Sequence, residues 1–177
     1  MTRWPIVGAW LCACTPQPPT TPVEPLHWRS GAYPIELRVS SALDSCEAAS
    51  VLAAVTWLEA RTDRDLFAPI TVPPTDPAVI GLAVEGVISI APAERLSTPR
   101  TAGETRRPVY VGTRVIHSAT IDVSVCSPGV VAHELGHGLG LDHVDDADRL
   151  MFPVILGGWG LSDGELAQMG GARVVSR

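Results

Sequence analysis

The alternation of apolar and polar residues predicts that the folded part of the chain starts with a strand and a helix. Residues 33–40 alternate between apolar and polar side chains, which is typical of a strand with one buried face. Residues 45–61 place apolar side chains at helical spacing, and Asp44 or Ser45 supplies a capping residue at the start. A strand followed by an amphipathic helix is therefore expected here.

Further apolar runs predict several short strands and two more helices. The strands are residues 66–72, one or two within 78–91 with a bend at Gly86, and the pair 109–116 and 119–125. A loop rich in Arg, Thr and Gly is expected before residue 109. The helices are residues 129–139, apolar enough to be buried, and 163–169, which begins with a capping box of Ser162 and Glu165. No internal repeat is visible.

The helix predicted over residues 129–139 carries a histidine pair at helical spacing. His133 and His137 are four residues apart, so they project from one face and can bind a single ion. Glu134 points about a quarter turn away and lies close to that ion. His143 cannot join them from the same helix, because ten more helical residues would carry it about 15 Å away. The chain must therefore turn back, and Gly140 lies where a left-handed C-cap permits the turn.

Three imidazoles with one open coordination position are the ligand set of a catalytic zinc site. The alternative is a buried helix that carries three histidines and binds no metal. Five fixed positions of this kind recur by chance in about one chain in 10⁵, which favours the metal site.

Residues 133–143 resemble the metzincin zinc-protease signature, H-E-x-x-H-x-x-G-x-x-H followed by a Met-turn. Met151 lies eight residues after His143, and residues 150–153 (Leu-Met-Phe-Pro) are similar to the Met-turn of the matrixin branch. Matrixins place serine where this chain has Val144. The resemblance covers residues 130–153 and is only topological before them.

The resemblance implies an α+β fold of the metzincin type. Its parts are a twisted, mostly parallel sheet of about five strands with one antiparallel edge strand, two main helices, and a short C-terminal subdomain with the Met-turn and a terminal helix. It implies one catalytic Zn²⁺ held by His133, His137 and His143. Glu134 would be the general base of a zinc-dependent endopeptidase, while Gly140, Met151 and Pro153 would support the site. A polypeptide substrate would add as an extended strand to an exposed edge, which we assign to residues 109–116.

The N-terminal residues predict an export signal. Arg3 precedes an apolar run over residues 4–13, and Leu11-Cys12-Ala13-Cys14 resembles a bacterial lipobox in which Cys14 is lipidated. The expected regions are a signal peptide at 1–13, a Pro/Thr-rich tether at 14–30 and a catalytic domain at 31–177. The protein would then be exported, as a membrane-anchored lipoprotein or a secreted protein. A disordered start is the alternative.

Two further cysteines, Cys46 and Cys126, remain outside the predicted signal. In an oxidising compartment they are able to form a disulfide, and two buried thiols are an equally weighted alternative. Neither has a Cys or His partner at the spacing of a zinc site.

Composition and charge narrow the class of protein. With 177 residues, 46% of them apolar, the chain suits one globular domain, which we expect to be a monomer. The net charge of −6 and the lack of a basic cluster argue against a nucleic-acid partner. No apolar run approaches the ~20 residues of a membrane-spanning helix, so membrane contact is expected only through the lipid.

Other polar clusters give weaker indications. Asp145, Asp146 and Asp148 are able to bind Ca²⁺, but a solvated turn is the favoured interpretation. His27 and His117 have no histidine neighbour, so no second zinc is expected.

Two functions from different classes stay open at this point. One is the zinc endopeptidase, and the other is a surface-tethered zinc-binding interaction protein with little or no turnover. Glu134 favours the enzyme, because a binding module does not need a general base there. Hydrolysis of a non-peptide amide is a weaker possibility.

Overall fold

The computed structural model describes residues 24–70, 83–93, 102–154 and 160–169. Within these ranges four strands and three helices follow one another along the chain. They are β1 (Glu36–Val39), α1 (Ser45–Thr62), β2 (Val87–Pro92), β3 (Gly103–Arg106), β4 (Ala119–Val123), α2 (Pro128–Gly138) and α3 (Asp163–Met169). The predicted signal peptide and Cys14 lie outside the described residues, as do most of the tether and parts of two predicted strands (71–72 and 78–82).

The four strands form one sheet in the order β1-β2-β4-β3. The first three are parallel, with Ile88 of β2 opposite Ala119 of β4. β3 runs antiparallel to β4 at the edge, with Gly103 opposite Val123. This confirms the α+β class and the mostly parallel sheet with one antiparallel edge strand. The described residues contribute four of the roughly five strands that the resemblance implies.

Local capping explains where α1 begins. The carboxylate of Asp44 accepts hydrogen bonds from the main-chain N–H groups of Cys46 and Glu47, both at 2.8 Å. The side chain of Glu47 in turn accepts from the N–H of Asp44 at 3.0 Å, which completes a capping box. The helix ends where Asp63 takes a left-handed conformation with φ +51°. Both main helices, α1 and α2, lie where the sequence predicts them.

The hydrophobic core lies between the sheet and the two main helices. α1 and α2 pack against each other, and α2 also packs against β3 and β4. The largest fully buried side chains come from all of these layers: Ile35, Leu37, Leu58, Leu66, Ile88, Ile90, Ile116, Ile121, Leu135, Leu139, Leu141 and Met151. Because α2 is covered on all sides, its residues from Gly129 to Gly138 are all buried. The histidine-bearing helix is thus part of the core.

The predicted strand over residues 109–116 is wrong. Tyr110 and Thr113 form a tight turn in which the N–H of Thr113 donates to the carbonyl of Tyr110, and Gly112 takes a φ of +73°. Only a single antiparallel bridge joins Val109 to Ile116. The antiparallel partner of β4 is instead β3, which lies in the region expected to be a loop. Residues 66–70 likewise contain a single bridge, from Phe67 to Ile35, in place of the predicted strand.

The folded body reaches further towards the N-terminus than residue 31, the expected start of the catalytic domain. Trp28 is buried, and its indole N–H donates to the carbonyl of Gly138 at 2.9 Å. His27 forms a parallel bridge with Val115. Residues 24–28, assigned to the tether from composition, therefore pack on the domain. The sequence did not indicate this, because a single tryptophan in a proline-rich stretch shows no apolar periodicity.

A disulfide joins the start of α1 to the segment before α2. Cys46 and Cys126 have Cα atoms 5.4 Å apart, within the range that a disulfide spans. Both residues are exposed, so the alternative of two buried thiols is wrong. Among the described residues, none of the helices has the length and apolar character needed to span a membrane.

Removing this disulfide should lower stability without changing the fold. It closes a loop with a sequence separation of 80 residues, for which chain-entropy arguments give a stabilisation of about 4.5 kcal/mol. We expect a reductant to lower the thermal unfolding midpoint of the wild type. The double variant Cys46→Ser/Cys126→Ser should unfold at the lower temperature with and without reductant. A wild-type midpoint that is insensitive to reductant would contradict this assignment.

Candidate metal centre and its supporting residues

The helix that carries the histidine pair is fixed at both ends. At its start, the side chain of Ser127 accepts a hydrogen bond from the N–H of Val130, and Pro128 occupies the first turn, where its missing N–H costs nothing. At its end, the N–H of Leu141 donates to the carbonyl of Gly136, and the N–H of Gly140 to that of His137, both at 2.9 Å. These two bonds make a Schellman motif.

Gly140 is required at this turn for two independent reasons. Its φ of +107° lies in the region that residues with a Cβ rarely adopt. A Cβ at this position would also overlap the carbonyl oxygen of Leu26. The turn reverses the chain after α2, and residue 143 comes back towards the helix as the spacing predicts.

The structure brings the three histidines together at their Nε2 atoms. The Nε2 atom of His143 lies 3.2 Å from that of His133 and 3.1 Å from that of His137. The other ring nitrogens are engaged elsewhere: Nδ1 of His133 contacts the carbonyl of Leu150 at 2.7 Å, and Nδ1 of His137 contacts that of Leu141 at 2.9 Å. A carbonyl only accepts, so Nδ1 carries the proton in both rings, and each Nε2 presents its lone pair to the common point.

Burial keeps these rings neutral. Desolvation is the main cause that lowers the pKa of His133 to about 4, against a partial opposing effect of its bond to Leu150. Desolvation, followed by the proximity of His133, holds the pKa of His137 well below its ordinary value. The pKa of His143 is lowered as well, again mainly by burial. Neutral imidazole is the form that binds a metal ion, so at neutral pH the three rings are in the form that a metal site requires.

The donor set fits Zn²⁺. A tetrahedral zinc ion with Zn–N distances of about 2.0–2.1 Å needs ligand nitrogens about 3.4 Å apart, close to the separations observed here. Three neutral imidazoles and no thiolate leave one coordination position for water or substrate. Within the described ranges, this is the only group of three or more His, Cys, Asp or Glu side chains arranged to hold a metal.

Met151 packs against α2 at Gly136, between His133 and His137 along the helix. Met151 is fully buried, and a Cβ on Gly136 would come within 2.6 Å of its sulfur, so Gly136 leaves the space that the methionine fills. The carbonyl of Met151 accepts from the N–H of Val144 at 3.1 Å. This bond uses only the main chain of Val144, so the absence of the family's serine leaves it intact. Pro153 follows, half-buried, at the end of the turn.

Glu134 is enclosed between α2 and the edge strand. Its side chain is 2% exposed, and its Oε2 accepts a hydrogen bond from the hydroxyl of Thr105 at 2.6 Å. A Cβ on Gly103 would lie 2.7 Å from its Cγ atom. Glu134 therefore occupies space that exists only because residue 103 is glycine.

Arg107 supports the turn and was not found from the sequence. Its guanidinium donates to the carbonyl of Leu141 at 2.9 Å and to that of His137 at 3.2 Å. It also pairs with the carboxylate of Asp142 at 2.9 Å. Arg107 and Thr105 both lie in a stretch without apolar alternation, and their partners are about 30 residues away in the chain, so no local signal identifies them.

The remaining polar groups have other partners. The carboxylate of Asp146 accepts from the N–H of Asp148 at 3.1 Å and from Arg149 at 3.2 Å, as in an ordinary turn. Nδ1 of His27 contacts the carbonyl of Pro25, and Nδ1 of His117 contacts the hydroxyl of Ser118. None of these residues belongs to the metal cluster.

Gly140→Ala should destabilise the protein and weaken zinc binding together. We expect a loss of at least about 3 kcal/mol in the free energy of unfolding, from positive-φ strain and overlap with Leu26. Zinc affinity should fall at least about tenfold, because His143 moves away from its partners. Gly112→Ala is the matched control, since Gly112 also has a positive φ but nothing within 4 Å of its Cβ position. Urea unfolding and zinc titration measure both effects, and equal losses in the two variants would contradict this role of Gly140.

Comparison with known proteins shows what the segment around this site resembles. The matrixin family model matches residues 83–160. A search of curated proteins gives no significant match. Similar solved structures include the hatching enzyme HCE-1, a zinc-protease from the medaka Oryzias latipes, with 15% identity and a TM-score of 0.39; the match covers 66% of this chain and 50% of that chain.

A second similar structure is metalloproteinase-II from Bacteroides fragilis, with 19% identity and a TM-score of 0.48. The match covers 85% of this chain and 58% of that one, so this chain spans between half and three-fifths of both solved structures. Residues 83–160, matched by the family model, contain the three histidines, Glu134 and Met151. The segment that carries the histidine cluster is therefore similar to matrixins.

Proposed function

We propose that this protein is a zinc-dependent endopeptidase. The observation that carries the proposal is the convergence of three Nε2 atoms on a helix and turn that also carry the buried carboxylate of Glu134. Main-chain carbonyls orient two of the three rings, those of His133 and His137. Zinc sites that serve only structure fill all four positions with protein ligands, whereas this cluster supplies three. The match of residues 83–160 to matrixins supports the same activity.

Each residue has one task in the proposed mechanism. His133, His137 and His143 would hold the ion. When bound, Zn²⁺ lowers the pKa of water and polarises the scissile carbonyl. The carboxylate of Glu134 accepts a proton from the attacking water and then delivers it to the departing amine. Its burial between α2 and β3 excludes bulk water, which strengthens the electrostatic interactions around it.

We further propose that the substrate binds as an extended strand along β3. This replaces residues 109–116, which form a turn. Among the described strands β3 is at the edge of the sheet and pairs with β4 on one side, so its other main-chain edge supports strand addition. Since Gly103 and Thr105 contact Glu134, a peptide along this edge would pass beside the general base.

The test is cleavage of a peptide library by the zinc-loaded wild type and Glu134→Ala, with the cuts mapped by mass spectrometry. We expect the variant to lose cleavage by at least about 10²-fold, because the general base is removed, while zinc content stays at one ion per chain. Equal cutting by both proteins would contradict the role of Glu134 as the general base. Stoichiometric zinc with no cutting by the wild type would instead favour the non-catalytic zinc-binding protein.

We also propose export with a lipid anchor on Cys14. Support comes from the lipobox-like sequence before Cys14 and from the exposed disulfide, because such bonds persist in oxidising compartments. Detergent partitioning of the protein expressed with its N-terminus tests the anchor. The wild type should enter the detergent phase and Cys14→Ser should stay in the aqueous phase; identical partitioning would rule out lipidation.

A further inference from the structure

One face of the edge strand β3 meets the residues of the metal centre. Alternate residues of a strand point to the same side, as Gly103 and Thr105 do, and Arg107 follows directly after the strand at the next position of this alternation. Gly103 lies over the Glu134 side chain, Thr105 bonds to it, and Arg107 bonds to the carbonyl of His137. A strand that only completed the core would place apolar side chains here, so these three positions require another explanation.

We propose that Thr105 is a positioning residue that holds the general base Glu134 in its reactive orientation. This inference rests on the proposed function. In this role Thr105 neither binds the metal nor transfers a proton; it acts by orienting the carboxylate of Glu134.

The hydroxyl of Thr105 has one proton and two acceptors within reach. It lies 2.6 Å from Oε2 of Glu134 and 3.0 Å from the main-chain carbonyl of the same residue. A carboxylate is the stronger acceptor and its bonds are shorter, so the proton belongs to Oε2. The hydroxyl thus ties one carboxylate oxygen to the edge strand.

Gly103 adds a steric limit to this hydrogen bond. A Cβ there would lie 2.7 Å from Cγ and 3.1 Å from Oε1 of Glu134, so the strand backbone closely covers the side chain. A carboxylate held at Oε2 and covered at Cγ cannot rotate freely about its last bond. General-base catalysis needs the base within about 3 Å of the proton that it accepts, so a fixed carboxylate raises the rate of that step.

A purely structural role for the same bond makes a different prediction. If Thr105 only attached β3 to α2, its loss would lower stability and disturb the peptide edge, which would raise KM. If Thr105 positions Glu134, its loss lowers kcat while KM, zinc content and the unfolding midpoint change little. The two roles are therefore separable by kinetics.

The experiment compares zinc-loaded full-length wild type with Thr105→Val, Thr105→Ser and Glu134→Ala on a peptide cut by the wild type. Thr105→Val keeps the shape and removes the hydroxyl, whereas Thr105→Ser keeps the hydroxyl. We expect kcat of Thr105→Val to fall about 10- to 100-fold with KM within about twofold of the wild type. Thr105→Ser should recover kcat to within about threefold of the wild type.

Thr56→Val is the matched control, because the hydroxyl of Thr56 bonds only the α1 carbonyl of Leu52 among the contacts described, far from the site in sequence. Its kcat should equal that of the wild type. The proposal is overturned if Thr105→Val keeps wild-type kcat while Glu134→Ala is inactive. It is also overturned if Thr105→Ser is as slow as Thr105→Val, or if Thr105→Val changes KM alone. Equal cutting by wild type and Glu134→Ala would instead overturn the proposed function.

Discussion

The end of α2 is the constraint on which the rest of the site depends. A helix leaves its last carbonyls without partners inside the helix, and in a buried helix each of them must find a donor. Here the donors come from distant parts of the chain. Trp28 donates to Gly138, Arg107 donates to His137 and Leu141, and Gln168 of α3 donates to Gly140 at 2.7 Å. Three distant segments therefore meet where the chain reverses after α2 and brings His143 back towards the helix. They are the N-terminal segment, the residue after β3 and the helix α3.

Main-chain carbonyls also determine which ring nitrogen of His133 and of His137 carries the proton. Leu141 accepts both from Nδ1 of His137 and from Arg107, and Leu150 of the Met-turn accepts from Nδ1 of His133. These neutral carbonyls orient the rings of His133 and His137 and carry no negative charge themselves. In the proposed enzyme, three neutral ligands would leave the full positive charge of a divalent ion available to polarise a substrate carbonyl. Burial lowers the pKa of all three histidines and so also favours their neutral form.

The helices and the clustering of the three histidines could be predicted from sequence because their signals are local. A capping box at Asp44, a proline in the first turn of α2 and a glycine after it each act within a few residues. The contacts of Thr105 and Arg107 could not be predicted, since they join residues about 30 positions apart through tertiary packing. The strand predicted at 109–116 failed because apolar residues on both sides of Gly112 imitate alternation, while the positive φ of that glycine reverses the chain.

The strand β3, which the sequence did not predict, must also meet two separate requirements. In the proposed enzyme, the outer main-chain edge of β3 must stay open for a peptide, and its inner face must accommodate a buried carboxylate. Glycine and threonine meet the second demand, because glycine leaves space for Glu134 and threonine supplies a hydroxyl. Neither contributes the apolar alternation by which strands are recognised. Apolar alternation reflects how a strand fills the core. A strand whose inner face accommodates a buried carboxylate lacks that alternation, and the sequence pattern therefore does not identify it.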